Sequence, residues 1–150
     1  MVAPIDVESS RHVVELGAGT GCVTRALLKR LRPDCKLTVI EANEAFARKL
    51  WELSDPRLSV FHARAENLGR FVKSADVIIS SVPLAALPDE VAHRILAEIQ
   101  QVKGVKKFVQ FQYSRRSEGL FRTYFDEIER SRVLFNLPPA HVYVCTPKKM

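Results

Sequence analysis

Short apolar runs of strand length alternate along the chain with segments whose apolar residues recur every three or four positions. His12-Val13-Val14-Glu15-Leu16 is β-rich and runs into Gly17, Gly19 and Gly21. From Thr20 to Leu31, Val23, Ala26, Leu27 and Leu31 share a helical face. Pro33 stops that helix, and Lys29 and Arg30 suit the negative end of its dipole. Lys36 to Ile40 is the next strand, ending at Glu41, and Asn43 can cap a helix carrying Phe46, Ala47, Leu50, Trp51 and Leu53. Leu58 to His62 reads as a third strand. Asp76 to Ser80 reads as a fourth, with the apolar middle expected of a parallel strand buried on both faces. Pro88 and Asp89 open a helix to about Val102, Lys107 to Gln112 is a fifth strand, and Glu118 to Glu129 has helical spacing. Arg132 to Asn136 and His141 to Cys145 read as two last strands around Asn136-Leu137-Pro138-Pro139. The alternation predicts a doubly wound α/β fold, its sheet mostly parallel and closed by a C-terminal antiparallel hairpin.

Composition narrows the class. A chain of 150 residues that is 47% hydrophobic suits one domain with its own core. No apolar run approaches the roughly 20 residues of a membrane-spanning helix, and Asp6 and Glu8 interrupt the start where a secretory signal would be apolar. Cys22, Cys35 and Cys145 are odd in number and widely spaced, which fits a reducing cytosol better than a disulfide framework. His12, His62, His93 and His141 show no ligand spacing, so no metal is expected. The net charge of +6 is compatible with nucleic acid, anionic headgroups, a small anionic cofactor or simply a solvated basic surface.

The turn Glu15-Leu16-Gly17-Ala18-Gly19-Thr20-Gly21 follows the first strand and opens a helix. Glycines there permit a tight turn and close approach of a ligand to backbone N–H groups. Glu41 follows Gly21 by 20 residues at the end of the second strand, where Rossmann-like folds place an acid for ribose hydroxyls. Cys22 stands where the dinucleotide fingerprint needs a glycine. Glu15 puts a carboxylate at the edge of a buried strand, costly unless a cation or hydrogen-bond donor meets it. The ammonium of S-adenosylmethionine (SAM) would serve, as would a structural arginine.

These residues resemble the first motif and ribose-binding acid of the class I SAM-dependent methyltransferases. The resemblance implies that fold over residues 1–150, with SAM as cofactor. It implies cofactor-binding roles for Glu15, Gly17, Gly19, Gly21, Glu41, Ala42, Ala65, Glu66 and Ser81, with His62 to Asn67 flanking the adenine. Arg64 stands where many relatives carry Asp, so Glu66 is the alternative adenine contact.

The segment Ser80-Ser81-Val82-Pro83-Leu84 falls beside the transferred methyl in that family. Adenine N6 methyltransferases carry Asn/Asp-x-Pro-Tyr/Phe there, an acceptor for the exocyclic amine and a stacking platform for the base. Ser81 and Leu84 supply neither, and no aromatic-rich basic segment accompanies them, which disfavours nucleic acid. Ser-x-x-Pro-Leu, together with Phe135-Asn136-Leu137-Pro138-Pro139-Ala140-His141-Val142-Tyr143, resembles the bacterial phospholipid N-methyltransferases. That resemblance implies methylation of phosphatidylethanolamine toward phosphatidylcholine by a cytoplasmic protein held peripherally at the anionic inner membrane. An rRNA adenine or small-molecule methyltransferase, or a catalytically silent SAM-binding module, are the alternatives. Tyr113 is the candidate to orient the amine, and Arg115 and Arg116 could hold a lipid phosphate. Apolar Leu84 to Leu87 is a candidate membrane contact. The family's N-terminal amphipathic helix is expected to be mostly missing, because the first strand already begins at His12.

Overall fold

The computed structural model describes residues 5–6, 8–133 and 140–148. Its strands are β1 (His12–Leu16), β2 (Lys36–Glu41), β3 (Leu58–His62), β4 (Val77–Ser80), β5 (Lys107–Gln112), β6 (Phe125–Val133) and β7 (Ala140–Pro147). Its helices are α1 (Cys22–Arg30), α2 (Glu44–Trp51), α3 (Leu68–Phe71), α4 (Asp89–Gln101) and α5 (Glu118–Tyr124). The strands form one sheet in the order β3-β2-β1-β4-β5-β7-β6. The first five are mutually parallel, whereas β7 runs antiparallel to both β5 and β6. The doubly wound, mostly parallel sheet with an antiparallel C-terminal pair is therefore the fold the sequence predicts.

Strand order reverses between β1 and β4, so the connections leaving them diverge and open a crevice at their C-terminal ends. In open α/β sheets that switch point is where ligands bind. Apolar residues on both faces hold the sheet between two layers. Leu27 of α1 and Leu50 of α2 pack with Val13, Leu37, Val39, Ile79 and Val109 on one side. Leu68, Ile95, Leu96, Ile99 and Phe121 pack with Val14, Leu16, Ile78 and Phe108 on the other. Local chemistry fixes the helix starts. Asn43 Oδ1 accepts from the Phe46 N–H at 3.2 Å, and Gly21 precedes α1 with φ +87°. No helix among the described residues is long and apolar enough to cross a membrane.

The C-terminal third corrects the sequence reading. The helix expected over Glu118–Glu129 ends at Tyr124, and Phe125 starts a nine-residue strand. Phe121, Phe125 and Ile128 do fall near a helical period, but Phe125 stacks on Phe108 at 5.2 Å and the chain beyond it pairs with β7 from Pro147 back to Ala140. Long-range ladder pairing thus overrides a local periodicity. Of the strand expected at Arg132–Asn136, Arg132 and Val133 form the end of this longer β6, and residues 134–136 lie outside the described residues. The strand expected at His141–Cys145 extends to Ala140–Pro147. The turn residues Asn136–Pro139, with Phe135, lie outside the described residues. The 3-10 turns Ala65–Asn67 and Leu84–Ala86, and α3, are too short to leave a periodic signature.

Phe121 has no exposed surface and meets both Phe108 and Tyr143, whereas Phe71 remains 38% exposed. Phe121→Ala is expected to cost about 3–5 kcal/mol in urea unfolding, and Phe71→Ala about 1 kcal/mol or less.

Candidate functional site

The C-terminal ends of β1, β2 and β4 and the loops after them enclose a cavity of about 480 Å³. Of the residues singled out in sequence, Gly17, Gly19, Glu41, Ala42, Ala65, Glu66 and Ser81 line it together. Glu15 and Gly21 do not. Gly21 packs α1 instead, a Cβ there falling 2.7 Å from Leu50 Cδ2.

The glycine loop is held from both sides. Gly17 N–H donates to the Ile40 carbonyl at 2.9 Å, and with φ +72° it faces Val82 so closely that a Cβ would lie 3.0 Å from Cγ2 of that residue. Gly19 differs: at φ +55° its Cβ direction is open, with nothing within 4 Å. Its N–H donates to Glu41 Oε2 at 2.8 Å, while Glu41 Oε1 accepts from the Asn43 N–H at 2.7 Å. Glu41 thereby fastens the loop to the start of α2 and keeps spare lone pairs toward the cavity, suited to the hydroxyls of a ribose.

Glu15 lies beneath this loop with no exposed surface. Oε2 accepts from Thr24 Oγ1 at 2.6 Å, and Oε1 is buried without a partner. Burial, opposed by the Thr24 hydrogen bond and reinforced by the Glu41 charge, pushes its pKa up to about 7. Among the described residues no arginine pairs with it, so the structural ion pair weighed from sequence is not found there. A carboxylate with one orphaned oxygen beneath a glycine loop fits a cationic ligand. The cavity volume also lies within the range usual for cofactor sites.

Arg64 and Glu66, alternatives at sequence level, are partners: Arg64 Nε lies 3.3 Å from Glu66 Oε1, and both line the cavity. Sequence reasoning missed Phe46, Val91 and Ile95 as an apolar wall of this cavity, and read Leu87 as a membrane contact, whereas it lines the cavity beside Val82 of the segment expected near the methyl. Phe46, Val91 and Ile95 looked like ordinary core positions, and only the convergence of α2 and α4 on the strand ends brings them together. It also missed Gln110. This buried side chain donates Nε2 to the Val82 carbonyl at 2.8 Å, while Ser80 Oγ accepts from the Val82 N–H at 3.2 Å. The two pin the peptide next to Ser81.

Ser81 and Pro83 also line a second cavity of about 290 Å³ with Ala85, Ala86, Phe111, Gln112, Tyr113 and Ser114. Tyr113 is therefore brought beside the first cavity, edge-on to Phe111 at 5.4 Å. Arg115 turns to Glu118 at 3.5 Å, and Arg116 lines an outer groove between α4 and α5. The histidines are dispersed: His12 bonds Ser74 and Thr38, His62 the Ala42 carbonyl, and His93 the Tyr124 hydroxyl.

Residues 13–103 match the family model described as "Methyltransferase domain". An ornithine lipid N-methyltransferase from Singulisphaera acidiphila is 33% identical over 153 residues, covering 96% of this chain and 80% of that protein. Among solved structures, the CurJ carbon methyltransferase superposes with a TM-score of 0.77 at 17% identity; the match covers 99% of this chain but only 51% of that one. A SAM-dependent O-methyltransferase from Thermotoga maritima gives 0.73 at 13% identity, over 99% of this chain and 64% of its own. At such identities the structural likeness speaks for the fold.

The buried Glu15 makes stability depend on pH in a definite direction. Its pKa is about 7 in the folded chain against 4.5 for the free group, so between those values the folded state binds the extra proton and stability falls as pH rises. Glu15→Gln lacks this titration. Its stability relative to the parent chain is expected to rise by roughly 3 kcal/mol from about pH 4.5 to pH 8, read by urea unfolding without ligand.

Proposed function

The chain belongs to the methyltransferase-domain family and takes SAM as its methyl donor, and on that premise we propose that it methylates the primary amine of a membrane lipid. The observation that carries this reading is the apolar cavity adjoining the cofactor-sized one, with Ser81 and Pro83 lining both. Its walls are Phe111, Tyr113, Pro83 and two alanines, suited to an amine borne on an apolar body. Phosphatidylethanolamine is the acceptor the sequence resemblance implies. An ornithine lipid is the second reading, after the name of the Singulisphaera relative.

SAM supplies a methyl group on a sulfonium, open to in-line displacement by an uncharged amine. The chain's own contribution is binding and placement. Glu41 would accept the ribose hydroxyls, the glycine loop would hold the methionyl end with the Glu15 charge buried beneath it, and Ala65 and Glu66 would flank the adenine with the apolar wall behind it. Gln110 and Ser80 hold the Val82 peptide, so Ser81 stands at a fixed place between the two cavities. Tyr113 accepts a hydrogen bond from the amine N–H and thereby directs the nitrogen lone pair toward the neighbouring cofactor-sized cavity. The proton lost from the ammonium leaves to water at the open mouth. Apolar walls strip water from the amine, which raises its reactivity.

Calorimetric titration should show SAM binding that Glu41→Ala weakens by at least about tenfold, roughly 1.4 kcal/mol. With Tyr113→Phe, SAM affinity should hold while turnover on lipid amine falls about tenfold or more. Labelled methyl transfer to phosphatidylethanolamine and to ornithine lipid, assayed side by side, ranks the two acceptors. Intact SAM binding with transfer to neither would overturn the lipid reading and favour the silent SAM-binding module.

A further inference from the structure

A lipid amine hangs only a headgroup's length above the bilayer, so a chain acting on it must bring the membrane surface against the mouth of its acceptor cavity. That mouth has a distinct chemistry. Tyr113 is 57% exposed, and Pro83 and Ala86 are exposed across the opening from it. Cations gather beside this apolar rim through the antiparallel strand pairing. His141 is registered with Gln112 of β5 and with Arg132 of β6, which puts Arg130 and Arg132 at the same end of the sheet as the loop bearing Arg115 and Arg116.

One carboxylate, Glu118, serves several of these cations. It lies 3.5 Å from Arg115, 3.3 Å from Arg122 and 3.9 Å from Arg130. Arg116 and Arg132 have no ion-pair partner among the described residues. His141 registers the field: burial first, then Arg130, Arg132 and Arg115, hold its pKa below the ordinary imidazole value. β6 is itself polarised, with Asp126, Glu127 and Glu129 in its first part and the arginines toward the rim. Across Ala85, Asp89 is exposed, and Glu90 is held by Arg94 at 3.0 Å.

We propose that this rim docks on an anionic bilayer surface, with Tyr113, Pro83 and Ala86 entering the headgroup layer and Arg116 and Arg132 meeting lipid phosphates. The proposal rests on the lipid-amine reading above and adds the face through which the chain meets the membrane. The physics is that of interfacial binding. A small apolar contact is too weak alone, and each basic side chain near an anionic surface adds about 1 kcal/mol, so together they give reversible, salt-sensitive adsorption. An aromatic ring with a polar tip suits the headgroup level.

The test is vesicle co-sedimentation with equal parts phosphatidylglycerol and phosphatidylcholine, against phosphatidylcholine alone. Binding should require the anionic lipid and fall with salt. The double reversal Arg116→Glu/Arg132→Glu should weaken it at least about tenfold. Lys29→Glu/Arg30→Glu, at the exposed end of α1, should weaken it far less, and both variants should keep SAM affinity by calorimetry. Equal losses in the two variants, or equal binding to neutral vesicles, would overturn the docking surface. So would RNA that displaces the chain from vesicles at matched salt through the same two arginines. Transfer to the same lipid amine dispersed in detergent separates the levels. A chain that methylates the dispersed amine but ignores anionic vesicles has no such docking face, although the lipid reading stands. Transfer to no lipid amine in either form overturns the lipid reading itself, whatever the vesicles bind.

Discussion

The Glu41 carboxylate joins three pieces of backbone that would otherwise move independently. One oxygen takes the Gly19 N–H and the other takes the Asn43 N–H, so the end of β2, the glycine loop after β1 and the first turn of α2 hold one geometry. Charge-assisted hydrogen bonds to a nearly buried carboxylate are among the stronger polar contacts available to a protein. The cavity at the strand ends depends on this bridge, because Gly19 and Glu41 are two of its walls. The side chain proposed to hold the ribose therefore also builds the site.

Glu15 is the complement of that arrangement. Glu41 is satisfied by backbone donors, but Glu15 has one hydroxyl donor, one orphaned oxygen and a second carboxylate nearby, all without access to water. Leaving a buried acceptor unpaired costs stability in the ligand-free chain. A cationic ligand reaching this oxygen would relieve that cost, which is the physical basis of the role proposed for Glu15.

On the side of the second cavity, positioning runs through Val82. Ser80 holds its N–H, Gln110 holds its carbonyl, and Gly17 lets it pack against the glycine loop. Ser81, which with Pro83 lines both cavities, thus stands next to a residue fixed by β4 and β5 and touching the turn after β1. The antiparallel β7 and β6 extend the sheet past β5, and the rim-side end of β6 brings Arg130 and Arg132 to the same edge. The cofactor-sized cavity, the proposed acceptor cavity and the arginine-bearing rim therefore lie in succession along one end of the sheet.

The sequence by itself determined the parallel half of the fold and the glycine-loop wall of its cavity. Glycine turns, caps and strand runs as strong as Val77–Ser80 are local features, written in consecutive residues and legible without a partner. Gly17, Gly19 and Glu41 were readable for the same reason, since their spacing sits within one strand-turn-helix-strand unit. What remained hidden depends on contacts between distant segments. Phe121, Phe125 and Ile128 satisfy a helical period, and only the ladder to β7 shows that the chain extends from Phe125 onward. Gln110 shows no local sign of its hold on Val82, and Phe46 and Ile95 look like any core residues until two helices converge on one cavity. The pairing of Arg64 with Glu66, the unpaired state of Glu15 and the arginines gathered at the β6 end were decided by tertiary structure alone. Burial and through-space charge are properties of the assembled fold, and no window of consecutive residues carries them.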